Sequence, residues 1–375
     1  MNKLQDLHQH GVSVWLDYLS RSLIQTGKLK GLIDEGLRGE TSNPTIFQKA
    51  VSEGNAYDAQ ILALARQGME GEAICWELMI DDIQHACDIF KPLYEQTQGG
   101  DGYVSLELNP MLARDADASL KQARELYQRV DRPNVMYKVP GTQECIPVIE
   151  RLLGEGFNIN ITLLFDDRAY DQVIEAYFKG LEKRVAEGKP IHRIASVASF
   201  FVSRVDTEAD ARMDKLVASR PELKDKVAAL HGKVAVANAR IAYELFVKRF
   251  SGPRWEALKG HGATVQRPLW ASTGTKNKAY SDTLYVHDLI GPHCVNTMPE
   301  DTMRAFQDHG VVADTLTTTL LQEAHTVLKG LADVGVDLYD VTRFLVDDGV
   351  KKFEQSYKDL RDAVIKEREK LLQTA

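Results

Sequence analysis

Short β-forming runs alternate with longer stretches of helical periodicity along the whole chain. In GYVSLELNP, residues 102–110, Val104, Leu106 and Leu108 alternate with Ser105, Glu107 and Asn109, the period of two expected of a strand. NVMYKVPGT, residues 134–142, is a compact run of β-formers closed by Pro-Gly. The same reading predicts strands at 13–17, 39–43, 103–108, 134–139, 157–163, 194–199, 264–272 and 293–298. Between them, segments such as ASLKQARELYQRV (118–130) and KVAVANARIAYELFVKRF (233–250) carry apolar side chains at helical spacing. Gly27 breaks one helical stretch, and Gly99-Gly100 ends a mostly helical segment over 49–98.

Strands alternating with helices predict a parallel sheet. Eight such units in one chain of this length predict a closed (β/α)8 TIM barrel. An open doubly wound sheet competes, but no GxGxxG follows the first strand. No repeat or Gly/Ser linker divides the chain, so residues 1–375 are expected to form a single domain. The extra helices over 49–98 and 300–375 then read as an insertion and a C-terminal extension.

Polar residues gather at the predicted strand ends. Asp17, Asn43, Glu107, Lys138, Asn160, Thr162 and Ser199 each fall at or near one. In a barrel these ends converge on one mouth, where catalytic groups lie. Burying an ammonium at such a position is costly, because desolvation disfavours the charged form. Taken alone, Lys138 is either a strand-end lysine reaching solvent or a neutral amine nucleophile. Asp17 and Glu107 taken singly read equally well as capping residues. The last strand region before residue 210 is expected to end near Ser199 and run into a loop holding Arg204.

Bulk properties narrow the class. The chain is 44% hydrophobic and 27% charged, ordinary for a globular protein. A net charge of −8 argues against a nucleic-acid partner but leaves room for a local basic pocket. No apolar run spans a bilayer and the N-terminus lacks a signal core, so no membrane partner is expected. The cysteines 75, 87, 145 and 294 lack zinc-type spacing and read as free thiols, which points to the cytoplasm. His8 and His10 form an HxH pair in a polar segment and carry no metal reading.

The motifs VWLD ending at Asp17, TSNPTIF (41–47), SLELNP around Glu107 and MYKVPGT around Lys138 resemble the transaldolases. NITLLF (160–165), SFFVSR (199–204) and WASTGTKN (270–277) continue the resemblance over essentially the whole chain. It implies a barrel with a Schiff-base lysine on the fourth strand, sugar-phosphate substrates and no cofactor or metal. Lys138 lies on the fourth predicted strand. The resemblance also implies Glu107 and Thr162 as proton-shuttling groups with a water, and Asp17 as the base at the C4 hydroxyl. Asn43, Asn160 and Ser199 would orient hydroxyls. Arg204 matches the phosphate arginine, with Ser272 a second donor. Shorter relatives carry Ala-Ser-Phe-Arg where this chain has Ala271-Ser272-Thr273-Gly274-Thr275-Lys276, so a displaced Lys276 replaces an arginine. A point charge loses the bidentate geometry of a guanidinium.

Two further departures matter. Phe200 stands where many relatives have proline, which bears on the placement of Ser199. Phe201 stands where fructose-6-phosphate aldolases tend to carry tyrosine. A phenol can hold a water near an enamine and help protonate it; phenylalanine gives a drier site and favours transfer to an acceptor aldehyde. The expected reaction is therefore dihydroxyacetone transfer between sugar phosphates. An aldolase of the fructose-6-phosphate type and a non-catalytic sugar-phosphate-binding barrel are the alternatives. Arg267 and the four tryptophans read as structural. The helical extensions offer a possible homodimer interface.

Overall fold

A computed structural model describes residues 2–374. All eight expected strands are present: β1 Val12–Leu16, β2 Gly39–Thr41, β3 Tyr103–Glu107, β4 Val135–Pro140, β5 Ile159–Leu164, β6 Ser196–Phe201, β7 Arg267–Ala271 and β8 Cys294–Met298. Each pairs in parallel with the next, and β1 pairs with β8, closing the barrel. Covered inside by the barrel core and outside by helices, nearly every strand residue is buried. That is why β4 reads VMYKVP without clean alternation.

Strand boundaries shift by a residue or more from the sequence reading, and three of the differences concern Lys138, Ser199 and Arg204. β4 runs through Pro140, so Lys138 lies two residues inside the strand and not at its end. β6 extends to Phe201, because Phe200 and Phe201 pair with Trp270 and Ala271 of β7. Arg204 is not in a loop: it lies in the first turn of the helix Ser203–Ser219. The aromatic pair after Ser199 lengthens the strand, and the helix begins directly after it.

Local chemistry fixes the strand-to-helix joins. Asn43 sits extended (φ −157°, ψ 167°) ahead of Pro44 and accepts from the Ile46 N–H, capping the helix Pro44–Ser52 with proline in its first turn. Asp115 and Asp166 cap the helices Ala116–Val130 and Asp167–Ala186 in the same way.

The insertion forms the helices Asp58–Arg66 and Gly71–Gln96, and the extension ends in the helix Leu338–Thr374. This C-terminal helix does not stand free. It buries Val341, Leu345, Phe353, Tyr357, Leu360 and Val364, packing along the helices from Pro44 to Gln96. Tyr357 pins it: its hydroxyl accepts from Trp76 Nε1 (3.1 Å) and donates to Glu72 (2.8 Å). No helix among the described residues is long and apolar enough to cross a membrane.

Candidate active site

The site is a row of side chains across neighbouring strands. Glu107, Lys138 and Asn160 are successive register partners on β3, β4 and β5, which sets them side by side near the C-terminal ends. Lys138 is only 5% exposed and Glu107 6%. The Lys138 Nζ donates to Glu107 Oε2 at 3.1 Å and to the Ser42 carbonyl at 3.3 Å. Burial pushes the Glu107 carboxyl above its ordinary range, opposed by the charge of Lys138 and reinforced by that of Asp17. Moving a proton from Lys138 to Glu107 would leave two neutral groups in place of a buried ion pair. Burial favours that direction, and it yields a nucleophilic amine.

Asn160 is fully buried and acts as a spacer. Its amide donates to Ser105 Oγ (3.0 Å), and its carbonyl accepts from Ser199 Oγ (2.7 Å). Thr162 is also fully buried, and its hydroxyl has no protein partner. β5 slips register between Ile161 and Leu164, with Leu163 at φ +61°. A branched side chain in the left-handed region costs about 1–3 kcal/mol, so the surroundings must hold it there.

A cavity of about 80 Å³ opens beside Lys138. Asp17, Asn43, Ser199, Phe201, Arg204 and Ser272 line it, as expected. Glu107, Asn160 and Thr162 lie outside that lining, the first two touching Lys138 and Ser199 respectively. Lys276 is not brought in: it lies exposed in a neighbouring groove with Asp206, Asp210 and Tyr280. Surrounding protein, together with the charges of Arg204 and Lys352, holds its ammonium below the ordinary lysine value.

Sequence reasoning missed Thr41, Thr297 and Phe353, which with Ala271 complete the lining. Thr41 Oγ1 donates to Asp17 Oδ1 at 2.8 Å and meets the Thr297 hydroxyl at 2.8 Å, so it orients the acid. Thr41 lay in TSNPTIF and could have been found there. Phe353 carried no local signal. Its ring lies 5.7 Å from Lys138 Nζ and 6.0 Å from Arg204 Cζ.

Arg204 stacks over Phe201 at 5.1 Å, and its Nη1 is buried without a partner. An unpaired guanidinium nitrogen facing a cavity is suited to an anion. Ser272 follows β7 at φ +56°, its hydroxyl 3.0 Å from Ser203 Oγ. Phe200 points away from the cavity, edge-on to Tyr170 and Trp270, and Ser199 faces the cavity despite the missing proline.

Arg267 is at the opposite end, on Asp101 (3.0 Å) and Ser13 (2.9 Å), as a structural residue would be. A larger cavity of about 620 Å³ opens there too, but Arg267 is the only one of the residues above that lines it. Chemistry follows the strand C-termini, where the titratable groups converge, and not the larger void.

Fold and site together define a (β/α)8 barrel enzyme whose reactive groups stand at the C-terminal mouth. Residues 14–364 match the Transaldolase/Fructose-6-phosphate aldolase family. The transaldolase of Mycolicibacterium smegmatis is 48% identical over 362 residues, covering 96% of each chain. That of Mycobacterium tuberculosis is 47% identical over 359 residues, covering 95% of each, and that of Mycobacterium marinum is similar at 47%. The chain belongs to the Transaldolase/Fructose-6-phosphate aldolase family.

Proposed function

We propose that this protein is a cytoplasmic transaldolase, moving a dihydroxyacetone unit from sedoheptulose 7-phosphate to glyceraldehyde 3-phosphate. The products are erythrose 4-phosphate and fructose 6-phosphate, in the non-oxidative pentose phosphate pathway. The observation that carries the reading is the buried Lys138–Glu107 pair at 3.1 Å, its lysine lining a cavity together with an acid and an arginine.

The mechanism follows from these positions. Cleaving C3–C4 of the donor leaves an electron pair on C3, and a protonated imine at C2 accepts it. Lys138 gives its proton to Glu107 and attacks C2. Glu107 then returns a proton to the carbinolamine hydroxyl, which leaves as water. Thr162, with its unpartnered hydroxyl, assists through a water. Asp17, oriented by Thr41, removes the C4 hydroxyl proton, and the C3–C4 bond breaks. Erythrose 4-phosphate departs, and the three-carbon enamine stays on Lys138. The acceptor aldehyde adds to that carbon, Asp17 returns its proton to the new alkoxide, and hydrolysis of the imine frees Lys138. Asn43, Asn160 and Ser199 orient hydroxyls, while Arg204 and Ser272 receive the phosphate.

The second reading is an aldolase that releases dihydroxyacetone to water. Phe201 in the cavity wall, with Phe165 at 5.3 Å behind it, favours transfer because it offers the enamine no hydroxyl-held water. Incubation with fructose 6-phosphate alone, then with erythrose 4-phosphate added, separates the two. Turnover should require the acceptor; rapid free dihydroxyacetone without it would overturn the transferase reading.

A further inference from the structure

The C-terminal helix crosses the mouth at the phosphate end, and its sequence there is unusual for a packing helix. Gly349 lies so close to the barrel that an added Cβ would come within 2.8 Å of Leu163 and 3.9 Å of Arg204 Nη1. One turn on, Phe353 stands over both Lys138 and Arg204. Flanking these two are Asp348 and Lys352, whose side chains form an ion pair of 2.6 Å.

Lys352 directly precedes Phe353 and Asp348 directly precedes Gly349, so this ion pair borders the two residues that lie against Arg204. Among the carboxylates acting on Arg204, Asp348 comes ahead of Asp17 and Glu107. A phosphate monoester brings roughly 1.5–2 negative charges. Arg204 brings a single positive charge, so such an anion calls for a second cation, which Lys352 supplies by turning from one anion to the other. Lys352 is 63% exposed, with a side chain long enough to swing, and a dianion attracts it more strongly than the single charge of Asp348.

We propose that Lys352 is a second cation of the phosphate subsite, beside Arg204: its ammonium leaves Asp348 for the substrate phosphate, making the C-terminal helix a working wall of the site. The cavity supports this. At about 80 Å³ it is smaller than the ~300 Å³ of a typical ligand pocket, so substrate entry must rearrange its roof. Phe353 is the residue of this helix that lines the cavity, and the Asp348–Lys352 pair beside it is a side-chain contact that can open without unpacking the helix. This inference rests on the reading of Arg204 as the phosphate residue.

The test compares glyceraldehyde 3-phosphate with glyceraldehyde as acceptors at saturating donor, with inorganic phosphate as a competitive inhibitor. Lys352→Ala should lower the preference for the phosphorylated acceptor by about tenfold and weaken phosphate inhibition in parallel. Lys352→Arg should restore most of both, and Asp348→Asn should strengthen phosphate inhibition. If Lys352→Ala slows both acceptors equally, or leaves phosphate inhibition unchanged, Lys352 is only a solvated partner of Asp348 and the proposal fails. Arg204→Ala serves as the reference. Were it to leave phosphate inhibition intact, the reading of the phosphate end itself would fall, independently of Lys352.

Discussion

Lys138 Nζ and Glu107 Oε2 lie 3.1 Å apart across two paired strands, and both side chains are withdrawn from solvent. Glu107 is held high by burial while its partner cation pulls the other way. The pair can thus pass a proton internally without leaving charge stranded in the barrel.

Lys138→Arg should abolish turnover, by roughly 10⁴-fold or more, because a guanidinium is neither deprotonated nor nucleophilic. Borohydride reduction in the presence of fructose 6-phosphate, followed by peptide mass mapping, should mark Lys138 in the native protein and nothing in the variant. A native protein that gains no adduct there would refute imine catalysis.

Glu107→Gln keeps the shape but removes the proton store. The kcat should fall about 10²–10⁴-fold while the cavity still binds phosphate. With its carboxyl pushed up by burial, Glu107 should give the native pH–rate profile a limb above the ordinary carboxylate range. That limb should vanish in the variant; its persistence would assign the titration to another group.

Phe201→Tyr places a hydroxyl in the cavity wall between Ser199 and Arg204. Free dihydroxyacetone from fructose 6-phosphate without acceptor should rise, about tenfold or more, as a held water protonates the enamine. Enzymatic quantification of dihydroxyacetone reads this directly, and unchanged release would remove Phe201 from the control of transfer.

Glu40 is a separate case. It lies on β2, fully buried, with both carboxyl oxygens unpartnered, and burial pushes it well above the usual range, with Asp82 adding to the shift. A carboxyl raised in the folded state holds its proton longer than in the unfolded chain. Its contribution is therefore complete below the unfolded value and is lost as pH rises through the folded one. Glu40→Met, similar in shape and apolar, should stabilise the fold by about 1–3 kcal/mol. The gain should be larger at pH 8 than at pH 4. Denaturant unfolding at the two pH values tests it, and an equal gain at both would deny the titration.

The barrel was legible because alternation of short β-runs with helical periods is a local signal, and eight of them leave few topologies. The strand residues of the site were legible for the same reason: Asp17, Glu107, Lys138 and Ser199 stand at polar interruptions in otherwise apolar runs. Strand ends were less so. Nothing in KVPG or SFF reveals that pairing with a neighbouring strand carries β4 to Pro140 and β6 to Phe201. Arg204 looked like a loop residue because a helix starting directly on a strand shows no spacer.

The sequence by itself determined the order of elements, the chemistry carried by each strand and the resemblance that linked them. Only the tertiary structure decided which groups share a cavity. It joined Thr41 and Thr297 to Asp17 across strands at opposite ends of the chain, and left Lys276 in the next groove. It also laid Phe353, some 215 residues from Lys138, over that lysine. The sequence reads residues 300–375 as helical, but a helix's docking partner is set by complementary surfaces remote in sequence. The close approach allowed by Gly349 and the Tyr357–Trp76 bond brought this one across the mouth.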